Sequence, residues 1–203
     1  MSGVHIRPAT AADVDAVVPL MLGSSPELLA ATFGDSASVV VRRDFLQGKG
    51  VFGHPYQLVA LSGDGQVVAT LTAYRGRDYR RLSLHTLRSA AVLGPRALAR
   101  AVRRTAGLAR LFAPPGPDSL FLANLCVTPE TRGRGYGAAM MEHARALAAA
   151  RGLAAVELDV SYTNPRAQHL YERLGWVVTG ERPAPAGSAL DGFRRMRRPA
   201  GAA

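Results

Sequence analysis

Along the chain the apolar positions switch between the 3.6-residue period of a helix and the runs or alternations of strands. Residues 5–8, His-Ile-Arg-Pro, read as a short first strand. Thr10-Ala-Ala-Asp13 reads as a helix start, and Val14, Val17, Val18 and Met21 form the apolar stripe behind it, with helical pieces continuing to Leu46. Residues 57–61 and 66–73 are apolar runs joined by Ser62-Gly-Asp-Gly65, a turn whose residues tolerate positive φ, and together they predict a β-hairpin. From Arg75 to Asp118 the period becomes helical, clearest between Pro95 and Phe112. Ala113-Pro-Pro-Gly-Pro117, which cannot continue a helix, closes that segment.

Residues 120–127 are an almost unbroken apolar run bounded by Thr128-Pro129, the pattern of a strand buried on both faces. A helix over 136–151, ended by Gly152, and a strand over 154–160 complete a strand-helix-strand crossover, which makes the two strands parallel. Asn164-Pro165 opens a further helix with Asn as N-cap, and Gly175 closes it just before Trp176 starts another strand. A last strand is expected around 193–197.

At 203 residues, with 48% hydrophobic and 20% charged residues, the chain suits a single well-buried domain spanning 1–203 and lies outside the disordered range. No stretch approaches the 18 or so apolar residues of a membrane span. Met1 to Leu20 has no basic start followed by an apolar block, and the one cysteine, Cys126, has no disulfide partner. A reducing cytoplasm is the expected compartment, and a small buried thiol the expected state of Cys126.

The net charge of +10 is unevenly placed. Between Arg75 and Arg110 stand ten arginines against one acid, Asp78, so that stretch carries +9 and is read as an arginine-rich helical insertion over 75–118. On its last helix Arg96, Arg100, Arg103, Arg104 and Arg110 share a face, with Leu98, Ala101, Val102, Leu108 and Phe112 opposite. A solvated face over a packed stripe is favoured here over a nucleic-acid-binding or membrane-binding surface, because aromatic residues for stacking on bases are few. The histidines, His85 among them, show no metal-ligand spacing, and no Cys-x-x-Cys occurs, so no metal is expected.

The chemistry concentrates in Arg132-Gly133-Arg134-Gly135-Tyr136-Gly137, between the buried strand and the next helix. Glycines there leave helix N-terminal N–H groups uncovered, where a pyrophosphate can sit against main chain and dipole together. A P-loop is excluded, since no lysine follows the glycines. A dinucleotide fingerprint fits Gly133, Gly135 and Ala138 literally, with Glu157 or Asp159 about 20 residues on. Five residues separate those glycines from the strand, however, and too little chain follows Val160 for more parallel strands.

Leu125-Cys126-Val127-Thr-Pro-Glu-Thr-Arg132-Gly-Arg-Gly-Tyr-Gly137, followed by Asn164, Ala167 and Leu170-Tyr171 through Gly175-Trp176, resembles the GNAT superfamily of acyl-CoA-dependent N-acyltransferases. Residues 118–182 carry the resemblance strongly; the arginine-rich insertion is not part of the family core. It implies an α/β fold with a mixed, mostly antiparallel central sheet flanked by helices. It also implies acetyl transfer from acetyl-CoA, the acyl donor, to a primary amine of a small molecule or peptide. The backbone of Leu125, Cys126 and Val127 would pair with the pantetheine arm, Arg132, Gly133, Arg134, Gly135, Tyr136 and Gly137 would hold the pyrophosphate, and Asn164 would contact the pantetheine region. Tyr171 matches the usual general acid at the leaving thiolate. Asp159 matches a position where some members place a base, while Asn124 stands where others carry a carboxylate.

A missing base matters less for some acceptors than for others. At pH 7 a lysine-like amine of pKa about 10.4 costs roughly 4.6 kcal/mol to deprotonate, an α-amine near 7.8 only about 1 kcal/mol. The acceptor and the oligomeric state are not encoded in any motif, although the nearby arginines hint at an acidic acceptor. A CoA-responsive or nucleic-acid-binding module without catalysis is the alternative class, with a dinucleotide-binding protein behind it.

Overall fold

The computed structural model describes residues 4–108, 111–185, 187–188 and 190–201. Arg110, assigned above to the arginine face, lies outside them. The described residues form one seven-stranded sheet with helices on both faces. In chain order the elements are β1 (His5–Pro8), α1 (Val14–Ser24), α2 (Pro26–Phe33), α3 (Ala37–Gln47), β2 (Gln57–Leu61), β3 (Val67–Arg75), α4 (Tyr79–Ser89) and α5 (Pro95–Leu108). Then follow β4 (Ser119–Val127), α6 (Tyr136–Ala150), β5 (Ala155–Ser161), α7 (Pro165–Arg173), β6 (Val177–Pro183) and β7 (Gly192–Pro199).

The sheet order is β1-β2-β3-β4-β5-β7-β6, and every pairing is antiparallel except β4 with β5. A single parallel pair excludes the doubly wound sheet of a dinucleotide-binding fold. Alternation along the strands feeds two cores. Ala69, Leu71 and Ala73 of β3 and Val156, Leu158 and Val160 of β5 pack with Met140, Met141 and Ala144 of α6. Val59 of β2 faces the opposite layer, with Val17 and Met21 of α1 and Val40, Val41 and Phe45 of α3. Among the described residues no single helix is long and apolar enough to cross a membrane.

The segment between β3 and β4 is fastened at its base and along its first helix. Gly76 and Gly116 approach so closely that a Cβ on Gly76 would overlap the Gly116 carbonyl, which brings the two ends of the segment together. Asp44 of α3, fully buried, accepts hydrogen bonds from Thr86 Oγ1 at 2.8 Å and Ser89 Oγ at 2.9 Å on α4, and from the Phe52 N–H at 3.1 Å. The second helix is held more lightly: on α5 only Ala101 is fully buried. Val102, expected in the packed stripe, is 46% exposed. The stripe is narrower than the sequence suggests because α5 sits at the edge of the molecule, against α2 and the end of α4.

Candidate functional site

The site opens where β4 leaves β5. The two strands pair only from Ser119 opposite Ala155 to Leu122 opposite Leu158, although each runs on beyond that point. A β-bulge accompanies the divergence: Thr72 faces Ala123 and Thr70 faces Cys126, so two residues of β4 oppose one of β3. One of the two, Asn124, has φ 51, a left-handed conformation that asparagine adopts more readily than most residues. The Thr128 N–H donates to the Val68 carbonyl at 2.8 Å. Strand alternation therefore turns the N–H and C=O of Val127 and Leu125 away from β3, into the gap. The Val127 carbonyl there accepts from Arg132 Nε at 3.3 Å.

The gap widens into a cleft of about 1040 Å³. At one end is the glycine loop. Gly133 (φ 80) and Gly135 (φ 86) have open space where a Cβ would lie, so it is backbone conformation rather than room that calls for glycine. Gly135 caps α6 without a side chain, and the first helical bond runs from the Ala139 N–H to the Gly135 carbonyl at 3.0 Å. The N–H groups of Tyr136, Gly137 and Ala138 therefore have no helical acceptor and stand at the positive end of a 15-residue helix dipole. Arg132, Arg166 and Arg173 also line the cleft. This end suits a diphosphate.

Of the residues expected to hold a cofactor, Leu125, Cys126, Val127, Arg132, Gly133, Gly135, Tyr136, Gly137 and Asn164 all line this one cleft. Arg134 does not; its N–H turns back to the Thr131 carbonyl at 3.3 Å. Cys126 is half-buried rather than enclosed: β3 pairs with this part of β4 on one side, but β5 has already diverged on the other. Burial pushes its thiol pKa up, against the opposing pull of Arg132. Asn164 caps α7, its Oδ1 accepting the Ala167 N–H at 3.1 Å, so Nδ2 is the donor left for another partner.

Tyr171 borders the cleft from α7, its ring against Trp176 at 6.0 Å between centroids. It is only 7% exposed, and burial pushes its pKa up to about 12. Asp159 occupies a different setting from the one expected of a base. Its carboxylate accepts from Arg195 Nε at 2.6 Å and Nη2 at 2.9 Å, with Arg182 Nη1 at 3.5 Å. To take a proton it would have to give up a bidentate ion pair.

The far end of the cleft is built by residues that no motif marks: Ser24, Ser25, Glu27 and Leu28 at the α1–α2 junction, and Asp191 and Phe193 at the start of β7. Arg166 and Arg173, seven residues apart on α7, could have been found from their helical spacing. Neither His85 nor any arginine from 75 to 104 lines the cleft. Among the described residues no group of three or more His, Cys, Asp or Glu is arranged so that it could hold a metal ion.

A family model described as the acetyltransferase (GNAT) family matches residues 27–176. A solved acetyltransferase structure is 21% identical with a TM-score of 0.70, covering 97% of this chain and 100% of its own. The ribosomal-protein-S18-alanine N-acetyltransferase from Escherichia coli is 19% identical with a TM-score of 0.57, covering 98% and 96%. A phosphinothricin acetyltransferase from Sinorhizobium meliloti in complex with AcCoA is 18% identical with a TM-score of 0.59, covering 97% and 88%. These likenesses establish the shared fold. No curated protein sequence matches the chain.

Proposed function

Because the chain belongs to the acetyltransferase (GNAT) family, we propose that its cleft binds acetyl-CoA and passes the acetyl group directly to a primary amine. The observation that carries this reading is the stretch of β4 left unpaired on its β5 side, leading to a helix N-terminus free of side-chain caps. An extended amide-bearing arm can pair with the Leu125 and Val127 backbone as an added strand, and a diphosphate can end on the α6 N–H groups. The bound thioester supplies an activated acyl carbon. The amine nitrogen bonds to that carbon, the carbon–sulfur bond breaks with its electron pair on sulfur, and the surplus proton passes to water at the open mouth of the cleft. In this reading a backbone N–H near Val127 receives the charge that develops on the carbonyl oxygen, and the Tyr171 hydroxyl donates to the departing sulfur.

A thermal-shift titration with acetyl-CoA, CoA and NAD tests the reading. A ligand at a hundred times its Kd adds about 2.7 kcal/mol, or roughly 5 to 10 °C for a chain of this size. Both CoA species are expected to raise Tm and NAD to leave it alone; stabilisation by NAD only, or by none of the three, would remove the proposal. Catalysis is then sought with a panel of amines that includes an alanine-ended peptide and phosphinothricin, the acceptors suggested by two structural relatives.

Two substitutions probe the parts. Gly135→Ala forces an alanine into a left-handed conformation at a cost of about 1–2 kcal/mol. It is expected to weaken acetyl-CoA binding roughly tenfold by calorimetry; unchanged affinity would detach the loop from the pyrophosphate. Asp159→Asn is expected to lower Tm by breaking the Arg195 pair while leaving the pH dependence of kcat/KM in place. A lost alkaline or acidic limb in that variant would restore Asp159 as the base.

A further inference from the structure

Asn124 belongs to a polar chain that runs from inside the molecule to the cleft, and the chain's direction can be read from its donors. Gln57, 1% exposed, points Nε2 at the Val51 and Gly53 carbonyls, 3.3 and 3.4 Å away, which leaves its Oε1 as acceptor. Thr72 Oγ1 donates to that Oε1 at 2.7 Å, and having spent its only hydrogen it accepts from Asn124 Nδ2 at 3.0 Å. The amide of Asn124 is thereby oriented with Oδ1 toward Ser24. Ser24 also has a single hydrogen, and it lies 2.7 Å from the Met21 carbonyl but 3.3 Å from Asn124 Oδ1. The shorter bond takes the hydrogen. Asn124 Oδ1 is left as an under-used acceptor on the cleft wall, presented by a residue held at φ 51.

We infer that Asn124 Oδ1 accepts an N–H of the incoming amine, and that the acceptor is an amine of low pKa such as an α-amine, which reaches the site already neutral. This rests on the acyl-transfer reading, under which Val127, Leu125 and then Asn124 lead from the pyrophosphate end toward the thioester. An amide oxygen orients a neutral amine but cannot take its proton. The titratable groups facing this end are Glu27 on α2, Asp159 on β5, Tyr171 on α7 and Asp191 ahead of β7. Asp159 is held by Arg195, Tyr171 stays protonated, and Glu27 and Asp191 are exposed. The substrate's own ionisation therefore sets the rate. At pH 7 about one in seven molecules of an α-amine with pKa near 7.8 is neutral, against about one in 2,500 of a lysine-like amine near 10.4.

The experiment compares alaninamide with N-acetyl-lysinamide as acceptors, after calorimetry has established acetyl-CoA binding to the wild type. If acetyl-CoA does not bind, the acyl-transfer reading itself has failed and takes this inference with it. With binding present, kcat/KM for alaninamide is expected to exceed that for N-acetyl-lysinamide by about 100-fold or more at pH 7. The gap should shrink to roughly fourfold at pH 10, where the α-amine is almost fully neutral and about a quarter of the lysine-like amine is. Equal use of the two amines at pH 7, or no use of alaninamide, would overturn the inference. Asn124→Gly keeps the left-handed backbone while removing the amide, and Thr72→Val leaves the amide unanchored. Both are expected to raise KM for alaninamide, the first by about tenfold, with kcat changed less and acetyl-CoA affinity unchanged. An alaninamide KM in Asn124→Gly within twofold of wild type would sink the role of Asn124.

Discussion

Tyr171→Phe is expected to lower kcat for acyl transfer by about a hundredfold, the scale on which single charge-stabilising donors act, with acetyl-CoA affinity and Tm close to those of the wild type. The stability half follows from packing. The ring sits against Trp176 at 6.0 Å within the core under α6, and the hydroxyl makes no hydrogen bond among the described residues, so phenylalanine keeps every contact that holds the fold. The catalytic half follows from proton affinity. A hydroxyl pushed up to about 12 lies roughly 3.5 units above a thiol near 8.5, so handing its proton fully to the leaving sulfur is uphill by about 5 kcal/mol. Tyr171 therefore acts by donating a hydrogen bond that strengthens as negative charge gathers on sulfur. Burial keeps it in the donating form across the working range, so wild-type kcat should show no limb from this residue below about pH 11. Steady-state kinetics beside calorimetry separate the two halves: an unchanged kcat removes Tyr171 from the reaction, and a collapsed Tm makes it structural instead.

Much of this site is legible in the chain because its signals are local. Glycines at 133 and 135 announce a backbone that must turn left-handed, and both do so. The Asn164 cap, the crossover from β4 through α6 to β5, and the hairpin of β2 and β3 each depend on residues within one turn or one helix of each other. What stays hidden depends on partners far apart. Nothing in the sequence around Asp44 distinguishes it from a solvent-facing acid on an amphipathic helix, yet it binds hydroxyls 42 and 45 residues away. The slot of β7 between β5 and β6 is equally non-local. It is β7 that turns Asp159 from a free carboxylate into half of an ion pair, across a separation of 36 residues. Alternation along β5 correctly sends Glu157 and Asp159 to one face, but cannot say that an arginine from a strand of poor alternation will meet them there.

That arginine is where the largest loss of stability is expected. Arg195 is 7% exposed and joins three segments: both oxygens of Asp159 at 2.6 and 2.9 Å, Glu157 Oε2 at 3.2 Å, and the Ala113 carbonyl at 2.8 Å. Its guanidinium also lies 5.1 Å from the Phe121 ring centroid. Glu157 in turn accepts the Gly116 N–H at 3.1 Å, so the cluster fastens the end of the β3–β4 segment to the middle of the sheet. Arg195→Met retains much of the apolar stem but strands two nearly buried carboxylates beside each other, with Arg182 at 3.5 Å and Arg197 at 3.9 Å as their remaining cations. Breaking a buried pair from one side costs about 3–5 kcal/mol, which for a chain of this length lowers Tm by about 10 °C. Removing the stranded charge as well should recover part of that loss: Asp159→Leu combined with Arg195→Met is expected to be less destabilised than the sum of the single variants. Strict additivity in that thermal-denaturation cycle would mean the two side chains are not coupled. Rescue by the double variant would identify the cluster as structural, leaving the proton of the acceptor amine to solvent and to the pKa of the amine itself.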